Sequence, residues 1–387
     1  MIARVYYSRV PVLKFALEDV IRQLKYDIFY KSEDFDLAII AFSPEIYPIN
    51  ESIVETFNEY LGENKWVAFH SVTSFVNDKT VEEGLVALFL KFQKNGNFSI
   101  LTVRDLDKNY EKRLKETAEY INFYSKIKAI NLMFASYSGG KIGIFIEDLN
   151  TLLKEPVNIL GGVASGLINN GVVANVYTSE GEIRNGFAIL TLKNVDFCFG
   201  LAQGLRTVGP IYKITKAVNN RIYEVNGEPV KNIMEKLIEG LPIEDIRIFW
   251  YSPIVILDEK EGIVSIVRVI KDIPDDLGYV EFWGPIKADW SFRFSFGLKE
   301  EMFYAGTKEA LRVQKSLQKV ELGFNFSCMG RQYALEDLHI EEARHYASIF
   351  NAPLFGFFTL GEIAPDKYRK HLKFYNQTSV VVGVKEL

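Results

Sequence analysis

Two short apolar runs decide the fold, LGFNFSCMG at residues 322–330 and PLFGFFTLG at residues 353–361. In the segment between them, apolar side chains recur at spacings of three and four. These spacings place four residues on one stripe of a helix: Ile340, Ala343, Ala347 and Phe350. Continuous apolar runs on either side of such a helix are typical of strands buried on both faces. The stretch therefore predicts a strand–helix–strand unit.

The same pattern occurs twice earlier in the chain. Residues 36–43 and 66–70 are apolar runs around a helix that presents Ile53, Phe57 and Tyr60 on one face. Residues 130–139 and 156–162 flank a second helix, with Phe145, Leu149 and Leu152. A further strand is predicted after each copy, at residues 85–92, 186–193 and 379–384. We therefore predict a mixed α/β fold of the α+β class, with two related lobes built from duplicated strand–helix–strand units on mixed sheets.

Residues between the second and third copies have a different pattern. In WSFRFSF at residues 290–296 apolar and polar side chains alternate, which predicts an antiparallel strand with one open face. A chain of 387 residues is long for a single core. We predict two domains, residues 1–197 and 198–387.

Composition excludes several classes of partner. The net charge is −5 and no basic block occurs, so neither nucleic acid nor an anionic membrane is expected as a partner. The apolar runs are too short to cross a bilayer, and the first residues lack the pattern of a signal peptide. Two distant cysteines, Cys198 and Cys328, argue against a disulfide framework and fit a reducing compartment. We expect a cytoplasmic protein.

No sharp catalytic or cofactor motif is present. The chain has no Walker A loop, no GxGxxG after a strand, no HExxH and no GxSxG. His339 and His345 are six residues apart on one predicted helix and would not face one metal. We expect no cofactor and no metal.

Cys328 is the one candidate for chemistry. It lies where a buried strand ends, before a predicted loop with Gly330 and Arg331. Backbone N–H groups and a guanidinium there would lower the pKa of the thiol and make it reactive. A small residue packed beneath a strand end is the commoner explanation. No histidine is spaced to serve as its base, so nucleophilic catalysis is the alternative interpretation only.

Polar residues around Cys328 suggest ligand contacts. Glu362 follows a run of apolar residues, where a carboxylate needs either a ligand or a structural partner such as Arg331. Asn376 and Thr378 come at the start of the last strand, where Asn376 also fits a turn. Arg206 fits either an anion site or an ordinary surface position.

Six segments, in order, resemble the FIST family: GGVASG at 161–166, QGLRTVGP at 203–210, TKAVNNRIYEVNGEPV at 215–230, FSCMGR at 326–331, PLFGFFTLGEIAP at 353–365 and FYNQT at 374–378. The first 130 residues are less typical, with FHSVTSF at 69–75 where the family tends to show a glycine-rich segment. The resemblance implies a sensory input domain for small molecules, with amino acids as proposed ligands. Family members are often attached to signalling domains or, in eukaryotes, to an F-box; we expect a stand-alone prokaryotic member here.

The resemblance and the residue chemistry together give a predicted ligand site. Arg206 or Arg331 would hold a carboxylate and Glu362 an amino group, while Thr359, Asn376 and Thr378 would orient the ligand. The predicted set also includes Asn220 and Cys328. The favoured function is a small-ligand sensor, for an amino acid or a similar metabolite, that signals through a partner protein or homo-oligomerisation. The alternatives are a Cys328-dependent enzyme and a protein-interaction scaffold.

Overall fold

The computed structural model describes residues 1–28, 34–47, 52–125, 127–137, 141–166, 172–238, 246–257, 264–274 and 276–387. The elements of the first half are β1 (Ile2–Ser8), α1 (Leu13–Lys25), β2 (Leu37–Phe42), α2 (Ser52–Leu61), β3 (Trp66–His70), β4 (Thr73–Val76), β5 (Lys79–Glu82), β6 (Leu85–Lys91), β7 (Asn97–Arg104), α3 (Tyr110–Tyr124), β8 (Ala129–Ala135), α4 (Lys141–Leu149), β9 (Ile159–Val163), β10 (Val176–Thr178), β11 (Gly181–Ile183) and β12 (Gly186–Lys193).

Those of the second half are β13 (Val195–Ala202), β14 (Leu205–Val218), β15 (Arg221–Val225), β16 (Glu228–Pro229), α5 (Val230–Ile238), a 3₁₀ helix (Ile246–Trp250), β17 (Ile254–Leu257), β18 (Val264–Arg268), β19 (Ile270–Asp272), β20 (Val280–Phe282), β21 (Ser291–Gly297), α6 (Lys299–Leu317), β22 (Leu322–Cys328), α7 (Met329–Leu335), α8 (Leu338–Phe350), β23 (Leu354–Thr359), β24 (Glu362–Pro365), β25 (Leu372–Tyr375) and β26 (Ser379–Glu386). No described helix combines the length and the apolar character needed to cross a bilayer.

Three six-stranded sheets follow one plan. Each sheet contains a pair of parallel strands that a helical segment connects. The pairs are β2 with β3, β8 with β9, and β22 with β23. The last strand of the unit lies antiparallel beside that pair, as β6, β12 or β26. The α+β class and the three predicted strand–helix–strand units are therefore confirmed, although Gly139 of the second copy lies outside the described residues.

Each unit also gives a hairpin to the sheet of another unit. The β4–β5 hairpin of the first unit pairs with β23 of the third, and β10–β11 of the second pairs with β3 of the first. The β24–β25 hairpin of the third unit pairs with β9 of the second. The exchange closes a ring of three units, where the sequence predicted two lobes. A division between residues 197 and 198 stays a prediction, and two of the three hairpins cross it.

Aromatic side chains from all three units meet at the centre of the ring. Phe69 of β3 stacks on Phe134 of β8, with ring centroids 4.7 Å apart. The centroid of Phe357 in β23 lies 4.4 Å from that of Phe69, and all three residues are fully buried. Such rings bury a large apolar area, so this contact stabilises the union of the three sheets.

An eight-stranded sheet is inserted into the third unit, between β13 and α6. Its strand β21 is the predicted antiparallel strand, and Phe292 packs in the inserted core. The prediction of one open face is wrong, because Ser291 and Ser295 are buried whereas Phe296 is exposed. Trp250, Val269 and Trp283 belong to this insertion but pack against the main core of the three units. The insertion therefore forms a wall over the ends of β22 and β23.

Two carboxylates tie the first strand to the last one. The Met1 amino group lies 2.7 Å from Glu321 Oε2 and 2.7 Å from Glu386 Oε2. Glu386 also accepts the backbone N–H groups of Gln93, Lys94 and Gly96. Burial alone would raise the pKa of both carboxyls, but the Met1 ammonium and the backbone N–H groups outweigh burial and hold each pKa at about 2.

These two carboxylates predict a loss of stability in acid. Their pKa is depressed in the folded state, so the stabilisation is complete above the unfolded pKa of about 4.3 and is lost as the pH falls toward 2. Urea unfolding between pH 2 and pH 6 measures this slope. Glu386→Gln is expected to flatten the dependence of stability on pH and to lower the stability at pH 7. Glu341→Gln, on the exposed face of α8, is the control and is expected to change neither. An unchanged slope in Glu386→Gln would contradict this account.

Candidate functional site

Polar residues from one edge of the third sheet come together. Cys328 ends β22 and Thr359 ends β23, and the carboxyl ends of parallel strands meet at the same edge. Thr359 Oγ1 donates to Glu362 Oε1 at 2.6 Å, and the N–H of Thr378 donates to Glu362 Oε2 at 3.2 Å. Thr378 in turn accepts the N–H of Cys328 at 3.0 Å and donates from Oγ1 to the carbonyl of Asn376. Five of the eight predicted site residues therefore form one cluster.

The environment of the cluster raises the pKa of both of its ionisable groups. Burial raises the pKa of the Glu362 carboxyl well above its ordinary value, against the opposing hydrogen bonds from Thr359 and Thr378. Burial also raises the pKa of the Cys328 thiol, and the neighbouring Glu362 adds to that rise. Backbone N–H groups of Gly330, Arg331 and Gln377 act in the opposite direction but do not prevail. Both shifts favour the protonated forms of the carboxyl and the thiol.

A small cavity lies beside the cluster. Cys328, Thr359 and Asn376 form one side of it, and Trp250 and Trp283 of the inserted sheet form the other. The space open to the centre of a water molecule is about 20 Å³, which is room for one water. Glu362 and Thr378 lie behind these lining residues and hold them in place.

Two lining residues carry buried polar atoms without a partner. Neither Trp250 Nε1 nor Asn376 Oδ1 has a hydrogen-bond partner among the described residues. Oε1 of the adjacent Gln377 also lacks a partner among the described residues, whereas Nε2 of the same side chain donates to the carbonyl of Trp250 at 2.5 Å. Most buried polar atoms in folded proteins are satisfied, so this concentration at one cavity is unusual.

Arg331 is part of the framework behind the site. Its side chain is fully buried, and Nη2 donates to Glu342 Oε1 at 2.7 Å and to the carbonyl of Met302 at 2.6 Å. Burial lowers the pKa of its guanidinium, but the Glu342 carboxylate outweighs burial and the net shift is upward. The predicted structural pair of Arg331 with Glu362 is wrong, because Glu342 is the partner. Arg331 also lies within α7, where the sequence predicted a loop.

The other two predicted site residues lie outside the cluster. Arg206 is an exposed residue of β14, and its guanidinium pairs with Glu301 of α6. Asn220 is half-buried in the turn between β14 and β15, where Nδ2 donates to the carbonyl of Phe282 at 2.7 Å. Neither residue lines the cavity beside Cys328.

Sequence reasoning missed several residues of this region. Nothing local marks Trp250, which reaches the cavity only through the folding of the insertion. Glu342 is fully buried, although a glutamate on a helix is most often exposed to solvent. Arg268 is fully buried, donates to the carbonyls of Pro285, Val267 and Phe374, and has its pKa lowered to about 10 by burial. Its position within an apolar strand was the one feature of the sequence that could have indicated a buried arginine.

Comparison with known proteins identifies the family. The FIST N domain matches residues 36–228, and the FIST C domain matches residues 239–365. An uncharacterized protein of Aquifex aeolicus (strain VF5) is 32% identical over 268 residues, which cover 67% of this chain and 96% of that protein. FIST domains are generally sensory domains of signal transduction. The chain belongs to the FIST family.

Proposed function

We propose that this FIST protein is a sensor that binds a small ligand in the cavity beside Cys328, Thr359 and Asn376. The observation that carries the proposal is the pair of unsatisfied atoms at this cavity, a donor on Trp250 and an acceptor on Asn376. A buried polar atom without a partner costs about 1–3 kcal/mol. A ligand that offers both an acceptor and a donor removes that cost, and this favours its binding.

Ligand binding would require the cavity to open. The cavity has room for one water molecule, which is too little for a metabolite. The wall on the insertion side is held by the hydrogen bond from Gln377 to the Trp250 carbonyl and by contact between the Trp250 and Tyr333 rings. A ligand that binds only when this wall has moved would shift the population toward the open state. That movement is a direct way to pass a signal to a partner protein or to another copy of the chain.

Amino acids are the first compounds to test as ligands, and they carry both donors and acceptors. The partners of Arg206 and Arg331 weaken the idea that these arginines hold a ligand carboxylate. Glu362 is fully buried and accepts hydrogen bonds from Thr359 and Thr378, which weakens the idea that it binds the amino group of a ligand. We also propose a cytoplasmic location, which the two unpaired cysteines support.

A thermal-shift screen with a conservative variant tests the proposal. Amino acids and related metabolites are added singly to the wild-type protein and to Trp250→Phe. A ligand at 100 times its dissociation constant contributes about 2.7 kcal/mol, which corresponds to roughly 3 °C for a chain of this size. Trp250→Phe removes an N–H that has no described partner, so it is expected to reduce the ligand shift. Its loss of basal stability is expected to come from packing alone, because no described side-chain hydrogen bond is broken.

Trp66→Phe is the matched control for this screen. The Trp66 Nε1 donates to Asn58 Oδ1 at 3.0 Å, far from the cavity in the first unit. Its replacement is expected to lower the melting temperature of the free protein while leaving the ligand-induced shift unchanged. The proposal fails if no compound shifts the wild type, or if a compound shifts Trp250→Phe as much as the wild type.

A Cys328-dependent enzyme has less support as the alternative. The thiol is buried, its pKa is raised, and none of the four histidines contacts it among the described hydrogen bonds and ion pairs. A nucleophilic cysteine needs the thiolate form at neutral pH.

Alkylation of the native protein distinguishes a structural Cys328 from a reactive one. At pH 7.5 we expect iodoacetamide to modify the half-buried Cys198 at least tenfold faster than Cys328, because alkylation needs an accessible thiolate. Peptide mass spectrometry assigns each site, and the urea-unfolded protein gives the reference in which both react. Faster labelling of Cys328 in the native state would instead favour the enzyme.

A further inference from the structure

A large open cleft lies on the far side of β13, separate from the cavity beside Cys328. It offers about 1030 Å³ of space open to the centre of a water molecule. β13 forms one wall, and the other comprises β25 and the segment at residues 366–371 that precedes it. Arg312 of α6 lies at one side of the cleft.

The wall formed by β13 is an open sheet edge. β13 is the terminal strand of its sheet and pairs only with β26 among the described strands. The carbonyl of Asn194 accepts the N–H of Leu387, which fixes the alternation of hydrogen bonds along the strand. The even-numbered residues of β13 therefore bond to β26, and the odd-numbered ones do not. The backbone groups of Phe197, Phe199 and Leu201 therefore point away from the sheet and toward the cleft.

Most of these outward groups are unused. Asp196 accepts the N–H of Phe197, and Arg312 donates to the carbonyl of Phe199. The N–H of Phe199 and both backbone groups of Leu201 have no partner in the part of the chain that the structure describes. An edge of this kind is a template for another strand.

The cleft is basic although the protein has a net charge of −5. Its lining includes five basic residues, Arg312, Lys367, Arg369, Lys370 and Lys373, against two acids. Of the acids, Glu309 pairs with Arg312, and Asp366 accepts the backbone N–H groups of residues 368, 370 and 371. The three lysines have no carboxylate partner among the described residues.

We propose that this cleft binds an extended acidic segment of a partner protein, which adds as a strand to β13. Backbone pairing with Phe199 and Leu201 supplies direction and affinity, as in other cases of strand addition. Lys367, Lys370 and Lys373 supply the preference for acidic side chains, because opposite potentials across an interface raise association and exclude wrong partners. A nucleic acid would satisfy the charges but has no peptide backbone to pair with a strand edge.

The cleft adjoins the ligand site through Gln203. This residue lines the cleft, and its Nε2 donates to Thr378 Oγ1 at 3.2 Å. The proposal does not depend on the ligand site, since the edge and the charges are present without a ligand.

Fluorescence anisotropy with a defined peptide tests the proposal. The probe is a fluorescein-labelled octapeptide that alternates valine and glutamate. Two further peptides carry N-methyl groups either on every valine or on every glutamate. A strand added to one edge uses only alternate N–H groups, so we expect one of these two peptides to bind at least tenfold more weakly than the other. A valine–lysine peptide of the same length is expected not to bind.

Charge reversal on the protein tests the basic wall. Lys367→Glu/Lys370→Glu is expected to weaken binding of the valine–glutamate probe at least tenfold. The matched control is Lys112→Glu/Lys115→Glu on the exposed face of α3, which changes the net charge equally and should alter affinity less than twofold. Absence of binding would overturn the proposal, and so would equal affinities of the two N-methylated peptides. Equally tight binding of oligothymidylate would show a general polyanion surface and would also overturn it.

Discussion

Replacing Arg331 by methionine is expected to lower the free energy of unfolding by about 3–5 kcal/mol. The guanidinium and the Glu342 carboxylate are both fully buried and 2.7 Å apart. Removing the arginine leaves the carboxylate buried without a counterion, and the carbonyls of Met302 and Gln203 lose a donor. A charge without compensation in a low-dielectric interior is among the costliest single changes a protein can suffer.

Two further variants separate charge compensation from packing. In Arg331→Met/Glu342→Leu both charges are gone, and most of the stability is expected to return because apolar pairs often replace buried ion pairs without loss. Arg344→Met breaks the exposed pair with Glu341 on the same helix and should cost no more than about 1 kcal/mol. Urea denaturation measures all three, and an Arg331→Met protein as stable as Arg344→Met would refute the interpretation.

Gly161→Ala is expected to be as damaging, with a loss of about 3–5 kcal/mol, through strain and overpacking together. Gly161 has a φ of +154°, and a Cβ atom there would lie 1.9 Å from the Met133 carbonyl oxygen. The residue also pairs with Ile363 of the exchanged hairpin, so it lies between two strands that cannot both move away. We expect lower soluble yield and a markedly lower melting temperature.

Gly227→Ala provides the control for backbone conformation. Gly227 also has a positive φ of +80°, but a Cβ atom added there would meet no heavy atom within 4 Å apart from those of its chain neighbours. Its replacement should cost about 1 kcal/mol, from backbone strain alone. The difference in the free energy of unfolding between the two variants measures the cost of the steric contact with β8. If Gly161→Ala were no less stable than Gly227→Ala, the close approach would not constrain the sheet.

The sequence alone determined the repeated architecture and part of the site. Apolar runs and helical stripes encode burial directly, so three strand–helix–strand units were predicted with nearly correct bounds. Cys328 and Thr359 end parallel strands, and that topology is enough to bring them to one edge. Glu362 begins β24, three residues after Thr359 in the chain, and Asn376 and Thr378 lie in the short connection before β26, which keeps all three nearby. The FIST resemblance rested partly on these segments and was confirmed.

Only the tertiary structure decided how the units combine and which charges remain available. Short strands such as β4 and β5 carry too few residues to show which sheet they join, and the hairpin exchange was not predicted. Arg331 looked free to bind a ligand because its partner, Glu342, lies on another helix. Trp250 reaches the cavity from an inserted sheet. Local periodicity records whether a side chain is buried, whereas its electrostatic and hydrogen-bonding partners depend on contacts between distant segments, and those contacts exist only after folding.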